Sequence, residues 1–258
     1  MSLQACADIV AKGDPDRFAA TMAAPIEARR TLFPIYAFNV EVARAPWVTE
    51  EPMIAEMRLQ WWRDALDEIG QGRPVRKHEV TIPLAEVLGA EDSAILDKLV
   101  QVRRWDIYKE SFENKEHFLQ YLDATGGGLM WVAARRLGAD KYLENPEDSA
   151  EDVVRRFGRA TAFVRFMQAA IELKARGRKP IEGLDEDEIA ALARFSTAEI
   201  ASEKLLRRCL ISESRPALLE GWQTHVLLRQ IECDPARVMK GRVGLSPFRK
   251  KLRLLRWA

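Results

Sequence analysis

The sequence predicts an all-α fold, and three observations carry that expectation. Apolar residues recur at intervals of three and four along most of the chain, and capping residues, prolines and glycines punctuate these runs. No stretch shows the strict alternation of a half-buried strand. A chain of 258 residues, 47% hydrophobic and 31% charged, has the composition of a globular protein and the length for one large core. No internal repeat, low-complexity tract or long linker divides it, so a single helical domain over residues 1–258 is expected.

Asp14-Pro15, an N-cap acid followed by proline at the first helical position, predicts an early helix start. Ala24-Pro25 marks a brief break. From Ile26 to Ala45, Leu32, Ile35, Tyr36, Asn39, Val40 and Ala43 share one face at helical spacing. Pro46 and Pro52 bracket a loop, and Met53 to Ile69 repeats the pattern with Met57, Trp61, Ala65 and Glu68 as its inward stripe. Gly70 and Gly72 end that helix, and residues 70–81, rich in glycine, proline and charge, form a loop. Helices resume at Ile82, with further ones near 92–110, 115–137, 148–175, 186–210 and 215–239. A last helix runs from Ser246 to Trp257.

Composition excludes several function classes. A net charge of +1 predicts no strong overall pull toward nucleic acid. Cys6, Cys209 and Cys233 are odd in number and widely spaced, which fits a reducing compartment rather than a disulfide framework or a zinc site. The N-terminus has no basic-then-apolar signal pattern, and no apolar run approaches the ~20 residues that span a bilayer. A cytoplasmic protein is expected.

Isolated motifs read as structural. His78, His117 and His225 are far apart and have no second ligand at metal-site spacing. Gly126-Gly127-Gly128 follows no strand and precedes no Lys-Ser/Thr pair, so it reads as close packing beside a cavity rather than a phosphate loop. Asp64 and Glu68, four apart, have metal-sharing spacing, but such spacing is common on solvated helices.

Taken in order, these pieces resemble the squalene/phytoene synthase family. Arg29 precedes the segment Tyr36-Ala37-Phe38-Asn39 as in that family's opening helix. Arg58 to Leu66, Tyr121 to Met130, Gly158-Arg159-Ala160, and Gly177-Arg178 with Pro180 fall in the family's order, covering residues 14–240. The resemblance implies an isoprenoid (prenyl) synthase bundle around a central cavity, handling long isoprenoid diphosphates with magnesium. It also implies two aspartate-rich motifs, because oxygen ligands hold the metals that grip diphosphate.

At the positions that match those motifs the sequence has Ala43 and Trp47 in the first, and Arg165, Ala169 and Leu173 in the second. None supplies a carboxylate. These five are expected to line the cavity, with Arg29, Tyr36, Arg44, Arg58, Tyr121 and Arg165 as candidate anion or ligand contacts. No catalytic residue, metal site or cofactor is expected. The same losses are similar to a branch regarded as non-catalytic and membrane-associated, which includes a mitochondrial complex I assembly factor. That resemblance implies a pseudoenzyme with a protein partner in a membrane complex, and an isoprenoid or other apolar lipid in the cavity. The alternative is an active prenyltransferase condensing farnesyl or geranylgeranyl diphosphates, with magnesium held by Glu41, Asp64 and Glu68.

The segment 246–258 is basic and amphipathic. Phe248, Leu252, Leu255 and Trp257 form its apolar stripe, and Arg249, Lys250, Lys251, Arg253 and Arg256 flank it. Such a helix suits an anionic surface on the inner face of the cytoplasmic membrane, or packs its stripe on the bundle.

Overall fold

The computed structural model describes residues 2–108, 110–139, 149–179, 184–200, 206 and 210–257. All regular structure among these residues is helical. In chain order the α-helices are α1 (Leu3–Gly13), α2 (Pro15–Ala23), α3 (Ile26–Arg44), α4 (Pro52–Gly70), α5 (Thr81–Val87), α6 (Ala90–Val102), α7 (Lys115–Leu122), α8 (Gly128–Arg136) and α9 (Ala150–Ala175). They continue with α10 (Glu186–Glu199), α11 (Thr224–Cys233), α12 (Ala236–Met239) and α13 (Pro247–Trp257). Much of the predicted 186–210 helix beyond Glu199, and Pro180, lie outside the described residues.

Local chemistry sets most starts. Asp14 caps α2 by accepting from the Arg17 amide at 3.0 Å, Asn114 caps α7, Ser149 caps α9, and Asp185 with Glu188 forms a capping box on α10. The sequence misses α1, whose buried face is only Cys6 and Val10. It also joins 215–239 into one helix. The chain instead makes a 3-10 stretch (Arg215–Gly221), then α11, then α12 after the Asp234-Pro235 stop.

The register of α4 differs from the expected stripe. Ala55, Leu59, Trp62, Ala65, Leu66 and Ile69 are buried, whereas Met57 is 66% exposed and Trp61 is half-buried. α3 is buried nearly all round, from Leu32 through Val40.

α9 is the spine. Its first half, Ala150 to Phe157, belongs to one apolar cluster with α1, α3, α4 and α8, and its second half, Ala160 to Ala170, belongs to another with α7, α10 and α11. Where the halves meet, Gly158 crosses a π-helical turn at Asp123–Gly127. A methyl group on Gly126 would lie 2.4 Å from the Gly158 carbonyl oxygen, so only glycine allows the approach.

Candidate functional site

A cavity of about 260 Å3 opens at that crossing. α9 presents Arg165, Ala169 and Leu173 to it from one face, as residues four apart must be. Ala43, near the end of α3, and Trp47, in the 3-10 turn Ala45–Trp47, also line it. All five positions matched to the metal motifs therefore border one cavity. Sequence reasoning did not find its other charged lining residues, Asp14, Arg17, Arg103, Asp106 and Glu220.

These residues form two ion-pair networks. In the first, Arg17 is 4% exposed and donates Nε to Glu220 at 2.6 Å, while its Nη1 donates to Asp14 at 2.9 Å. Arg165 Nη1 donates to the same Asp14 oxygen at 2.5 Å. Burial alone raises the Asp14 pKa, but the Arg165 and Arg17 guanidiniums outweigh it and hold the value down at about 2. The Arg17 guanidinium also lies 4.9 Å over the Tyr36 ring, whose buried hydroxyl has no hydrogen-bond partner. Burial, with Glu220 nearby, pushes that hydroxyl well above its ordinary pKa, so it stays a neutral phenol.

In the second network, Arg103 Nη1 donates to Asp106 at 3.1 Å and to the Tyr121 hydroxyl at 2.7 Å, and that hydroxyl donates to Asp106 at 3.1 Å. Burial raises the Asp106 pKa, opposed by Arg103, and burial likewise raises that of Tyr121. Trp47 is held at the rim between the Arg178 and Arg176 guanidiniums, at 4.9 Å and 5.1 Å from its ring centroid.

The remaining sequence candidates do not join the cavity. Arg29 donates to the Ala24 and Met22 carbonyls, closing the α2–α3 corner, because the last carbonyls of α2 lack intrahelical partners. Arg44 and Arg58 line a separate groove of about 520 Å3 beside Trp61 and His78. Tyr36 lies behind the wall, against Arg17. The rearranged metal site does not form either. Glu41 lines the groove and pairs with Arg44, while Asp64 at 3.6 Å and Glu68 at 2.7 Å share the Arg76 guanidinium.

Magnesium does not fit the residues present in the cavity. The matched positions offer two alanines, a tryptophan, a leucine and an arginine, none an oxygen ligand. The cavity's own carboxylates are each committed to a guanidinium, and among the described residues no cluster of three or more His, Cys, Asp or Glu could hold a metal ion.

Residues 10–244 match the squalene/phytoene synthase family. The chain belongs to that family. The fold is similar to that of a dehydrosqualene synthase solved in complex with ligand, with a TM-score of 0.73 over 99% of this chain and 94% of that one. Identity there is 15%, so the likeness concerns the fold alone. Among curated relatives, the chain is 33% identical over 147 residues to the Drosophila melanogaster homologue of NADH dehydrogenase (ubiquinone) complex I assembly factor 6. It is 25% identical over 135 residues to the Homo sapiens assembly factor 6. Those matches take in 52% of this chain and only 44% and 40% of the two relatives.

The C-terminal helix packs and presents an apolar row at once. Trp257 is buried and stacks on Phe157 with centroids 5.8 Å apart, Lys250 pairs with Asp16 at 2.7 Å, and Arg253 donates to the Trp222 carbonyl at 2.7 Å. Trp257 is therefore not part of the predicted stripe. Phe248, Leu252 and Leu255 point away, at 74%, 39% and 78% exposure, with Arg249, Lys251 and Arg256 exposed beside them. No helix of the described residues is long and apolar enough to cross a membrane.

Proposed function

We propose that this chain is a non-catalytic squalene/phytoene synthase-family protein that serves as an assembly factor, binding a subunit or intermediate of a respiratory membrane complex. One observation carries the proposal. Every position matched to the family's metal ligands faces the cavity without an oxygen donor, and guanidiniums engage the carboxylates that do line it. Ionising a diphosphate requires its departing charge to be met, and the matched positions offer no carboxylate to hold the metals that would meet it. The names of the assembly-factor relatives agree with this reading.

The protein acts in the cytoplasm, peripheral to the inner face of the membrane through residues 246–258, where the Phe248, Leu252 and Leu255 row enters the headgroup region and the flanking cations meet anionic lipid. The prenyltransferase alternative has family membership in its favour and no ligand set.

The test joins two readouts. Purified protein given radiolabelled C15 and C20 diphosphates, magnesium and NADPH is expected to yield no apolar product above a protein-free blank. Deleting its gene is expected to deplete assembled NADH dehydrogenase complex on native gels, with recovery on re-expression. Sustained product formation, or normal assembly in the deletion strain, overturns the proposal.

A further inference from the structure

We infer that the groove between the end of α3 and the first half of α4 receives an amphipathic helix of a partner protein, with carboxylates of that helix set against Arg44 and Arg58. The inference rests on the assembly-factor reading for expecting a protein partner, and it names where on the chain and by what chemistry that partner is held.

The groove exists because α4 carries two apolar stripes and the core takes only one. Leu59, Trp62 and Leu66 are buried, while Ile54, Met57 and Trp61, at intervals of three and four, line the groove. Val48, just beyond the 3-10 turn, lines it as well. Val48, Met53, Ile54 and Met57 are each between 40% and 75% exposed. Three of these border one groove, so they form a patch rather than singly scattered surface hydrophobics. Its aromatic wall is fixed: Trp61 packs edge-on against Trp62 at 5.0 Å and His78 at 5.4 Å, with the Arg76 guanidinium 5.1 Å from its ring centroid. A fixed tryptophan beside adaptable methionines and an arginine is the composition that protein interfaces favour.

Charge selects the occupant. Arg58 is exposed and makes no hydrogen bond or ion pair among the described residues, and the Arg44 side chain is 62% exposed with one long contact to Glu41 at 3.4 Å. Carboxylates on an incoming segment answer both. The tail of a second copy would instead bring Arg249, Lys251 and Arg256 against them. An anionic membrane is disfavoured, because Glu50 and Glu51, exposed at the head of α4, would meet lipid phosphate beside Met53 and Ile54. Arg58 lies about two turns further along α4 than Glu51, so the acidic residues of the occupant belong at that end. An extended peptide gains affinity by pairing with a sheet edge, and the described residues contain no strand, so the groove suits a helix that lays its apolar face against the stripe. From Ile54 to Trp61 that stripe runs about 10 Å, and about two turns of the occupant touch it.

The test puts a photoreactive benzophenone residue in place of Met57 in the full chain, expressed in the deletion strain, and maps the cross-linked peptide by mass spectrometry. The same residue in place of Ile26, which is 65% exposed at the other end of α3, is the control. The expected product joins position 57 to a segment of another protein that has apolar residues three and four apart with Asp or Glu beside them. Arg58→Glu is expected to cut that product at least about tenfold without moving the melting temperature, and changing the segment's acidic residues to lysine is expected to restore it. If Arg58→Glu does not fold, Arg58→Ala carries the same expectation with a smaller loss.

Capture of lipid, of a second copy of this chain, or of a segment lacking the acids or the helical apolar spacing overturns the inference. So does a yield no greater than at Ile26, or one indifferent to Arg58. The two readings fail separately. An empty groove beside lost NADH dehydrogenase assembly in the deletion strain leaves the assembly-factor reading standing, whereas an acidic helix from a protein outside the respiratory complexes removes that reading and keeps the groove.

Discussion

Removing the Glu220 carboxylate tests whether the cavity's charge network is part of the fold. Arg17 and Glu220 lie 203 residues apart, with side chains only 5% and 2% exposed and guanidinium nitrogens at 2.6 Å and 2.5 Å from one carboxylate oxygen. With charge centres about 4 Å apart and an effective dielectric near 20, their attraction is roughly 4 kcal/mol. Glu220→Leu leaves Arg17 buried with Asp14 alone, 2.9 Å away, so the expected loss is about 3 kcal/mol, near the low end for breaking a buried pair. For a chain of this size that is a fall of roughly 6–12 °C in melting temperature. Arg17→Met strands Glu220 in the same way and costs about as much. The double variant strands neither and fills the space with apolar groups, so it should recover most of the loss, giving a coupling energy of at least about 2 kcal/mol in a urea-unfolding cycle. Single losses below about 1 kcal/mol, or a double variant that loses the sum of the two, would refute the claim that the pair is dry and mutually dependent.

The acid limb of stability should depend on Asp14. Its folded pKa of about 2 lies below its unfolded value near 3.8, so its contribution, about 2 kcal/mol, is present above pH ~4 and lost as the pH falls through ~2. Asp106, raised by burial, acts in the opposite sense, so the readout is the wild-type minus Asp14→Asn difference, which should shrink over that window. A constant difference from pH 5 to pH 2 would show that Asp14 is not paired as described. For the tail, Phe248→Ser with Leu255→Ser should abolish co-sedimentation with anionic vesicles while leaving Trp257 packed, since both residues face outward. Equal pelleting with neutral and anionic vesicles, or no loss in the double variant, would remove the membrane role.

Much of the helical frame was legible in the sequence because caps and prolines are local. Asp14-Pro15 starts α2, and Pro52 with Gly70 bounds α4. What local signals do not carry is the choice between two similar stripes. In α4 the sets Met57, Trp61 and Leu59, Trp62, Leu66 are comparably apolar, and contact with α6 and with Phe38 buries the second, with Ala65 alongside it. The 3-10 stretch Arg215–Gly221 is likewise fitted to a distant part of the chain. A side chain at Gly221 would meet the Phe157 ring at 2.5 Å, a constraint imposed from α9 across more than sixty residues of chain.

The cavity divides along the same line. Ala43, Trp47, Arg165, Ala169 and Leu173 were reachable because a family pattern assigned their positions, and α9 then places the last three on one face. Asp14, Arg17 and Glu220 carry no such mark: in sequence, Asp14 is a helix cap, Arg17 a charge in the first turn, and Glu220 one acid before a glycine. Only folding brings them to a common point, and once there they change what the degenerate motifs mean. Missing aspartates alone would leave Arg165 and Arg17 as unengaged cations in a cavity, an arrangement suited to an anion. With Asp14 and Glu220 already bound to them, the same arginines are engaged within the wall. The carboxylates that engage these arginines therefore bear on how the site is read as much as the residues at the matched metal-motif positions do.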